Sequence, residues 1–111
     1  VGVEMNDASR CTVEANEIWD CGTGAHIWRW CKQEGLNEDN RIAGNSFTGI
    51  TGNAIQLGTG TAKNTVTGND IDGSGRNGIS VSGKAQVLKD NRIRGSKLKD
   101  IVINEPGAVV E

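Results

Sequence analysis

The chain has 111 residues, enough for one domain with a modest core. Hydrophobic residues make up 35% of it, and no apolar run approaches the roughly 20 residues that a membrane span needs, so we expect no membrane partner. The formal net charge is −2, and basic and aromatic residues are not interleaved, which argues against a nucleic-acid partner.

Glycine and asparagine set the character of the sequence, with 16 glycines and eleven asparagines. Both residues tolerate tight turns and positive φ angles. Their density indicates a chain that turns often and at regular intervals.

Four repeated segments organise the chain after a first predicted strand at Val3–Met5. Each segment has an aliphatic residue, two spacers, Asn, one spacer, and then Ile or Phe. The asparagines are 29, 24 and 22 residues apart. In chain order the segments are Val13–Ile18 with Asn16, Ile42–Phe47 with Asn45, Val66–Ile71 with Asn69, and Leu88–Ile93 with Asn91.

A second short strand follows each segment after eight or nine residues, and Val3–Met5 has the same pattern in a preceding coil. Alternation over three or four residues is the β period, and no window shows a sustained helical period. The predicted strands are Ile27–Arg29, Ile55–Leu57, Ile79–Val81 and Ile101–Ile103.

Short strands that recur every 22 to 28 residues form one turn of a solenoid each. We therefore predict an all-β, right-handed parallel β-helix of four to five coils, one domain over residues 1–111, as part of a larger solenoid. The asparagines should stack in one column at a sharp corner and bond the backbone of adjacent coils. Further coils or partner chains are expected to cover both ends.

The second coil is irregular, because Ile27 and Ile55 are 28 residues apart where the other intervals are 24, 24 and 22. The surplus predicts a loop at about residues 30–40, the kind of segment that carries function on solenoids. Its acids Glu34, Glu38 and Asp39 make Ca²⁺ the one cofactor candidate. We otherwise predict no cofactor and no metal site.

Three cysteines match no zinc-binding spacing. Cys11 and Cys21 fall at repeat positions that face inward or a corner, so we expect small buried residues rather than nucleophiles. Cys31 lies outside the repeat. Cys11 aligns with Asn40, Asn64 and Gln86, and Cys21 aligns with Ile50, Ser74 and Ser96.

The repeat N-x-I followed by G-I-x-V, over roughly residues 2–104, resembles the parallel β-helix repeats of the pectin-lyase-like superfamily. The resemblance implies the architecture, a polysaccharide partner, acidic in some families, and an extracellular, periplasmic or cell-surface location. Members differ in chemistry, so the resemblance alone does not define an activity.

The catalytic motifs of known families are missing from the chain. It has no Tyr, and its one histidine, His26, does not lie in the Gly-His-Gly motif of polygalacturonases. The one proline, Pro106, does not lie in a sequence like that around the proline near the arginine base of pectate lyases. Whether the chain is an enzyme, as a lyase, hydrolase or epimerase would be, stays open, and no catalytic residue is assigned.

Three tryptophans within twelve residues, Trp19, Trp28 and Trp30, are candidates for a saccharide platform, since sugar C–H faces pack on indole rings. His26 lies beside them, and Asp20 is a candidate acid–base partner for it. The alternative is packing. Arg29 aligns with aliphatic residues that are predicted to be buried. Because a buried arginine is unfavourable, a bulge would turn Trp28 or Trp30 inward in its place.

The outward positions of the recurring strand are Glu4, Trp28, Gln56, Ser80 and Val102. Arg92 and Arg94 flank an inward isoleucine and, with Lys97 and Lys99, are candidates to bind the carboxylates of a polyuronate. The alternative is that these bases are charged gatekeepers near the end of the solenoid.

Two functions from different classes follow. The first is a carbohydrate-binding or polysaccharide-processing β-helix that recognises saccharide on the outer face of stacked strands, with Trp28, Trp30, His26, Arg92 and Arg94 as substrate-binding candidates. The second is a non-catalytic structural or interaction solenoid within an oligomer or a larger assembly.

Overall fold

The computed structural model describes residues 1–29 and 37–111, and all the regular elements in them are short β-strands. None of these residues forms a helix that could cross a membrane. The strands are β1 (Val3–Asn6), β2 (Thr12–Glu14), β3 (Glu17–Trp19), β4 (Ala25–Trp28), β5 (Arg41–Ala43), β6 (Ser46–Thr48), β7 (Ile55–Leu57), β8 (Thr65–Thr67), β9 (Asp70–Asp72), β10 (Ile79–Val81), β11 (Val87–Lys89), β12 (Arg92–Arg94), β13 (Ile101–Ile103) and β14 (Val109–Val110).

Three parallel sheets run the length of the molecule. Sheet A contains β1, β4, β7, β10 and β13, and sheet B contains β2, β5, β8, β11 and β14. Sheet C contains β3, β6, β9 and β12. Each strand pairs in parallel with the equivalent strand of every adjacent coil, so the chain is a parallel β-solenoid of about four turns. The predicted fold is confirmed.

The core is a set of aliphatic stacks along the axis. Strands of sheets B and C turn their central residue inward, as Ile42 and Phe47 do in the second coil. Strands of sheet A turn two residues inward, as Ile55 and Leu57 do. Because one coil cannot bury these side chains alone, stacking of coils creates the core.

The predicted asparagine column is present at the corner between sheets B and C. The Oδ1 of Asn69 accepts hydrogen bonds from the backbone N–H and the Nδ2 of Asn45, both at 3.0 Å. The Nδ2 of Asn69 donates to the carbonyl of Ile42 in the previous coil, at 3.0 Å. Asn16 and Asn91 continue the same pattern. Each amide therefore satisfies backbone groups that the sharp corner would leave unpaired.

Left-handed backbone conformations recur before each corner amide, which explains the Gly-Asn pairs of the sequence. The residue before each asparagine of the column has φ between 56° and 64°. Those four residues are Ala15, Gly44, Gly68 and Asp90. A second column, in which Asn40, Asn64 and Gln86 bond the backbone of the preceding coil, is built in the same way.

The prediction that Cys11 is buried is wrong, because Cys11 is exposed. Cys21 is partly buried and packs against the core, and both cysteines are free thiols. They occupy the expected columns, but in the first coil, where no preceding coil covers them in this structure. Ser74, two coils further on in the column of Cys21, is 1% exposed.

The predicted loop at residues 30–40 lies in part outside the described residues, which resume at 37. Asn37 and Asn40 are fully buried, and Glu38 forms a parallel bridge with Ala62 in the next coil. Residues 37–40 therefore belong to the solenoid wall, so they are not part of a protruding loop.

Candidate functional site

Sheet A presents two outward columns that run along the solenoid. The first column contains Glu4, His26, Gln56, Ser80 and Val102 in register. The second begins with Asn6 and Trp28 and continues through Ser82 and Asn104, directly after β10 and β13. Most of these side chains are neutral and polar, which makes this face unlike the other two.

Glu4, His26 and Trp28 form a cluster at one end of the face. The rings of His26 and Trp28 are two residues apart on β4 and therefore lie on the same side of the strand. Their centroids are 5.6 Å apart and their planes differ by 11°, a stacked geometry. The indole Nε1 of Trp28 donates a hydrogen bond of 2.6 Å to Oε1 of Glu4 in the preceding coil.

The position of His26 controls its charge. Partial burial lowers its pKa below 6.5, and the Glu4 carboxylate opposes this shift to a smaller extent. The imidazole is therefore neutral at pH 7 and able both to donate and to accept a hydrogen bond.

Gly58 allows the indole of Trp28 to lie against the next coil. A Cβ at Gly58 would be 3.1 Å from the Cβ of Trp28 and 3.2 Å from the carbonyl oxygen of Ile27. A larger residue there would press on the base of the ring. Sequence reasoning did not single out Gly58.

Amides and hydroxyls cover the rest of the face. The Nδ2 of Asn104 donates to the hydroxyls of Ser80 and Ser82, both at 3.3 Å. The Nδ2 of Asn53 donates to Oε1 of Gln56, also at 3.3 Å. Sequence reasoning missed Asn53, Ser82 and Asn104, because they lie just outside the short strands on which the pattern was read.

The predicted register of the second coil is wrong by two residues. We aligned Ile27 with Ile55, but Ile27 pairs with Leu57 and Ala25 pairs with Ile55. Arg29 therefore occupies no inward position, and no bulge turns Trp28 inward. His26, and not Trp28, shares a column with Glu4 and Gln56. Alanine fills the buried position, so the aliphatic pattern pointed to the wrong pair.

The three tryptophans do not form one described platform. Trp28 is half-buried on sheet A, whereas Trp19 is 61% exposed on the outer face of sheet C. Trp30 lies outside the described residues. Asp20 follows β3, where its carboxylate lies beside Gly49, so the carboxylate that acts on His26 is Glu4.

Arg92 and Arg94 point outward as predicted, but from sheet C, on another face than His26 and Trp28. Arg94 forms ion pairs with Asp72 at 3.3 Å and with Asp70 at 3.8 Å. These ion pairs hold its guanidinium beside the carboxylates of the neighbouring coil.

The calcium candidates are only partly described. Glu34 lies outside the described residues, and Glu38 and Asp39 lie in the solenoid wall. Within residues 1–29 and 37–111 no three His, Cys, Asp or Glu side chains come together as a group that could hold a metal ion.

The geometry is that of a parallel β-helix with one chemically distinct face, and comparison with protein families agrees. The family model described as a right-handed beta helix region matches residues 1–98. The chain therefore belongs to this right-handed β-helix family. Comparisons with curated proteins and with solved structures gave no match.

Proposed function

We propose that this β-helix binds carbohydrate on the outer face of sheet A, with the cluster of Glu4, His26 and Trp28 as the anchor. The stacked pair of His26 and Trp28 supports this proposal most directly, because it supplies flat apolar surface flanked by hydrogen-bonding groups. Sugar rings have C–H faces that pack on such a surface and hydroxyl groups at their edges that can bond to the flanking groups.

The rest of the face suits a chain of sugars. Gln56 and Ser80, which is 8% exposed, follow His26 one coil at a time, and the amide of Asn104 in the last coil bonds the hydroxyls of Ser80 and Ser82. Coils lie about 4.8 Å apart, close to the length of one sugar unit in an extended glycan. We infer that the glycan runs parallel to the solenoid axis.

The charge on this face favours a neutral glycan over an acidic one. Glu4 and the neutral His26 are the ionisable groups of its described outward columns, and a carboxylate would repel a polyuronate. The bases considered for polyuronate binding, Arg92 and Arg94, are on sheet C. Glycoside hydrolysis commonly uses two carboxyl groups. We therefore propose binding and not hydrolysis.

The proposal is tested by calorimetry with neutral hexasaccharides of glucose, mannose and galactose, and with oligogalacturonate, in 0.5 M salt. We expect one neutral series to bind and Trp28→Ala to weaken it roughly tenfold. The matched control is Trp19→Ala, which removes a more exposed indole from sheet C and should bind like the wild type. Absence of binding to all neutral series, or equal loss in both variants, would refute the proposal.

A second candidate is a structural or interaction solenoid, and exposed apolar residues in the last coils favour it. Leu98 is 59% exposed, Val109 49% and Ile103 43%. Such residues at strand edges are typical of a surface that another coil or another chain covers. Light scattering in 0.5 M salt distinguishes this candidate, since association through apolar residues persists at high salt and tolerates loss of Trp28.

A further inference from the structure

The outer face of sheet C has opposite charge at its two ends. Its first column contains Glu17, Ser46, Asp70 and Arg92 in register, and its second contains Trp19, Thr48, Asp72 and Arg94. From the first coil to the last, the face is thus acidic and aromatic, then hydroxylic, then acidic, then basic.

Ion pairs within the chain neutralise only one part of this face. Arg94 pairs with Asp70 and Asp72. Among the described residues, no ion pair involves Glu17 or Asp20 at one end, or Arg92 at the other. All three of these side chains are exposed. Free negative and free positive charge are therefore separated along one flat face.

Trp19 stands out from the acidic end of the face. A cleft of about 380 Å³ beside it is lined by Glu17, Asp20, Ser46 and Thr48. An indole flanked by carboxylates attracts a guanidinium through cation–π contact and charge. The basic end of the same face carries such groups.

We propose that two copies of this chain pack through the outer face of sheet C as a two-fold symmetric dimer. The solenoid axes of the two copies run in opposite directions. A two-fold axis in the interface and parallel to the strands places β3 on β12 of the second copy, and β6 on β9. Glu17 then faces the second copy's Arg92, and Trp19 faces its Arg94. Ser46 and Thr48 face the second copy's Asp70 and Asp72, to which their hydroxyls can donate.

The arrangement is self-complementary because each contact occurs twice. Four strands about 4.8 Å apart make a small face, so the dimer is weak and sensitive to salt, not permanent. The face is distinct from sheet A, and the dimer does not depend on carbohydrate binding.

Sedimentation of the 111-residue chain tests the dimer. At low salt we expect the mass to approach twice the 11.7 kDa of the monomer at high concentration, and 0.5 M salt should return it to the monomer. Glu17→Lys should weaken the dimer about tenfold or more, since it places like charges together twice. Glu14→Lys makes the same charge change on sheet B and should dimerise like the wild type.

Mixing two variants separates this interface from loss of folding. Glu17→Lys and Arg92→Glu should each be monomeric at low salt, whereas an equimolar mixture of them should restore the dimer, because both facing pairs regain opposite charges. A monomer at all concentrations, a mass that grows beyond two copies, or a mixture that stays monomeric would overturn the proposal.

Discussion

The inner and outer surfaces of sheet A are built from alternate residues of the same strands, yet they follow different rules. Inward positions of β7 and β10 repeat aliphatic residues, all fully buried, such as Ile55 and Ile79. Outward positions change type at nearly every coil, from Glu4 through His26 to Gln56. Stacking constrains the interior, while the outer surface is free to carry specific chemistry.

The largest expected effect comes from breaking the inner lattice at Asn69. Asn69→Ala leaves the Asn45 N–H and the Ile42 carbonyl without their partner, so we expect the free energy of unfolding to fall by about 3 kcal/mol. Asn16→Ala removes the same side chain where it is exposed and should cost below about 1 kcal/mol. Urea unfolding of both variants measures the difference, and equal losses would mean that the column carries no special stability.

The next effect concerns close approach of coils at a corner. A Cβ at Gly24 would lie 2.4 Å from the Ala54 carbonyl oxygen and 2.6 Å from Phe47, so Gly24→Ala should cost about 2 kcal/mol. Gly22→Ala, two residues earlier, meets nothing within 4 Å and should change stability by below about 0.5 kcal/mol. Thermal melts of both variants test this prediction. It is wrong if Gly22→Ala lowers the melting temperature as much as Gly24→Ala does.

A substitution at Ser74 tests whether the hydroxyl at this buried position lowers the stability of the fold. Ser74 is 1% exposed, and its hydroxyl has no hydrogen-bond partner. Ser74→Ala should therefore raise the free energy of unfolding by about 1 kcal/mol. Ser80→Ala serves as the control, because the Ser80 hydroxyl accepts a bond from Asn104 and its loss should bring no gain. A destabilised Ser74→Ala would show that the hydroxyl has a partner in solution.

The smallest effect is the pH response of the outer face. Because burial lowers the pKa of His26 below its ordinary 6.5, the unfolded chain takes up the proton first as the pH falls. The wild type should lose stability below about pH 6.5 relative to His26→Gln, with no such difference at higher pH. Denaturation curves of the two proteins between pH 7.5 and pH 5 measure this, and parallel curves would contradict it.

Periodicity in the sequence was sufficient to predict the stacked coils and the amide column of the interior. The spacing of Asn45, Asn69 and Asn91, with aliphatic residues at constant offsets, predicted parallel strands, coils and the amide column. This works because stacked coils place equivalent residues one strand spacing apart, so the requirement to fill the core and satisfy corner groups recurs in the sequence.

Local register and exposure required the tertiary structure. The second coil buries Ala25 where the next coil buries Ile55, so the aliphatic pattern aligned Ile27 with Ile55, whereas Ile27 pairs with Leu57. Cys11 is exposed and Cys21 is only partly buried, because burial depends on the neighbouring coil, which no local pattern records.

Periodic sequence features were enough to define the solenoid, its column of corner asparagines and most of the aliphatic residues of its core, since these follow from a periodic need for apolar packing and paired backbone groups. The tertiary structure alone settled which outward residues share a face. It brought Glu4 to the indole of Trp28 across 24 residues, placed Trp19 and Arg94 in one column, and separated both from sheet A. Outward side chains need no common pattern, and so their grouping leaves no periodic signal in the chain.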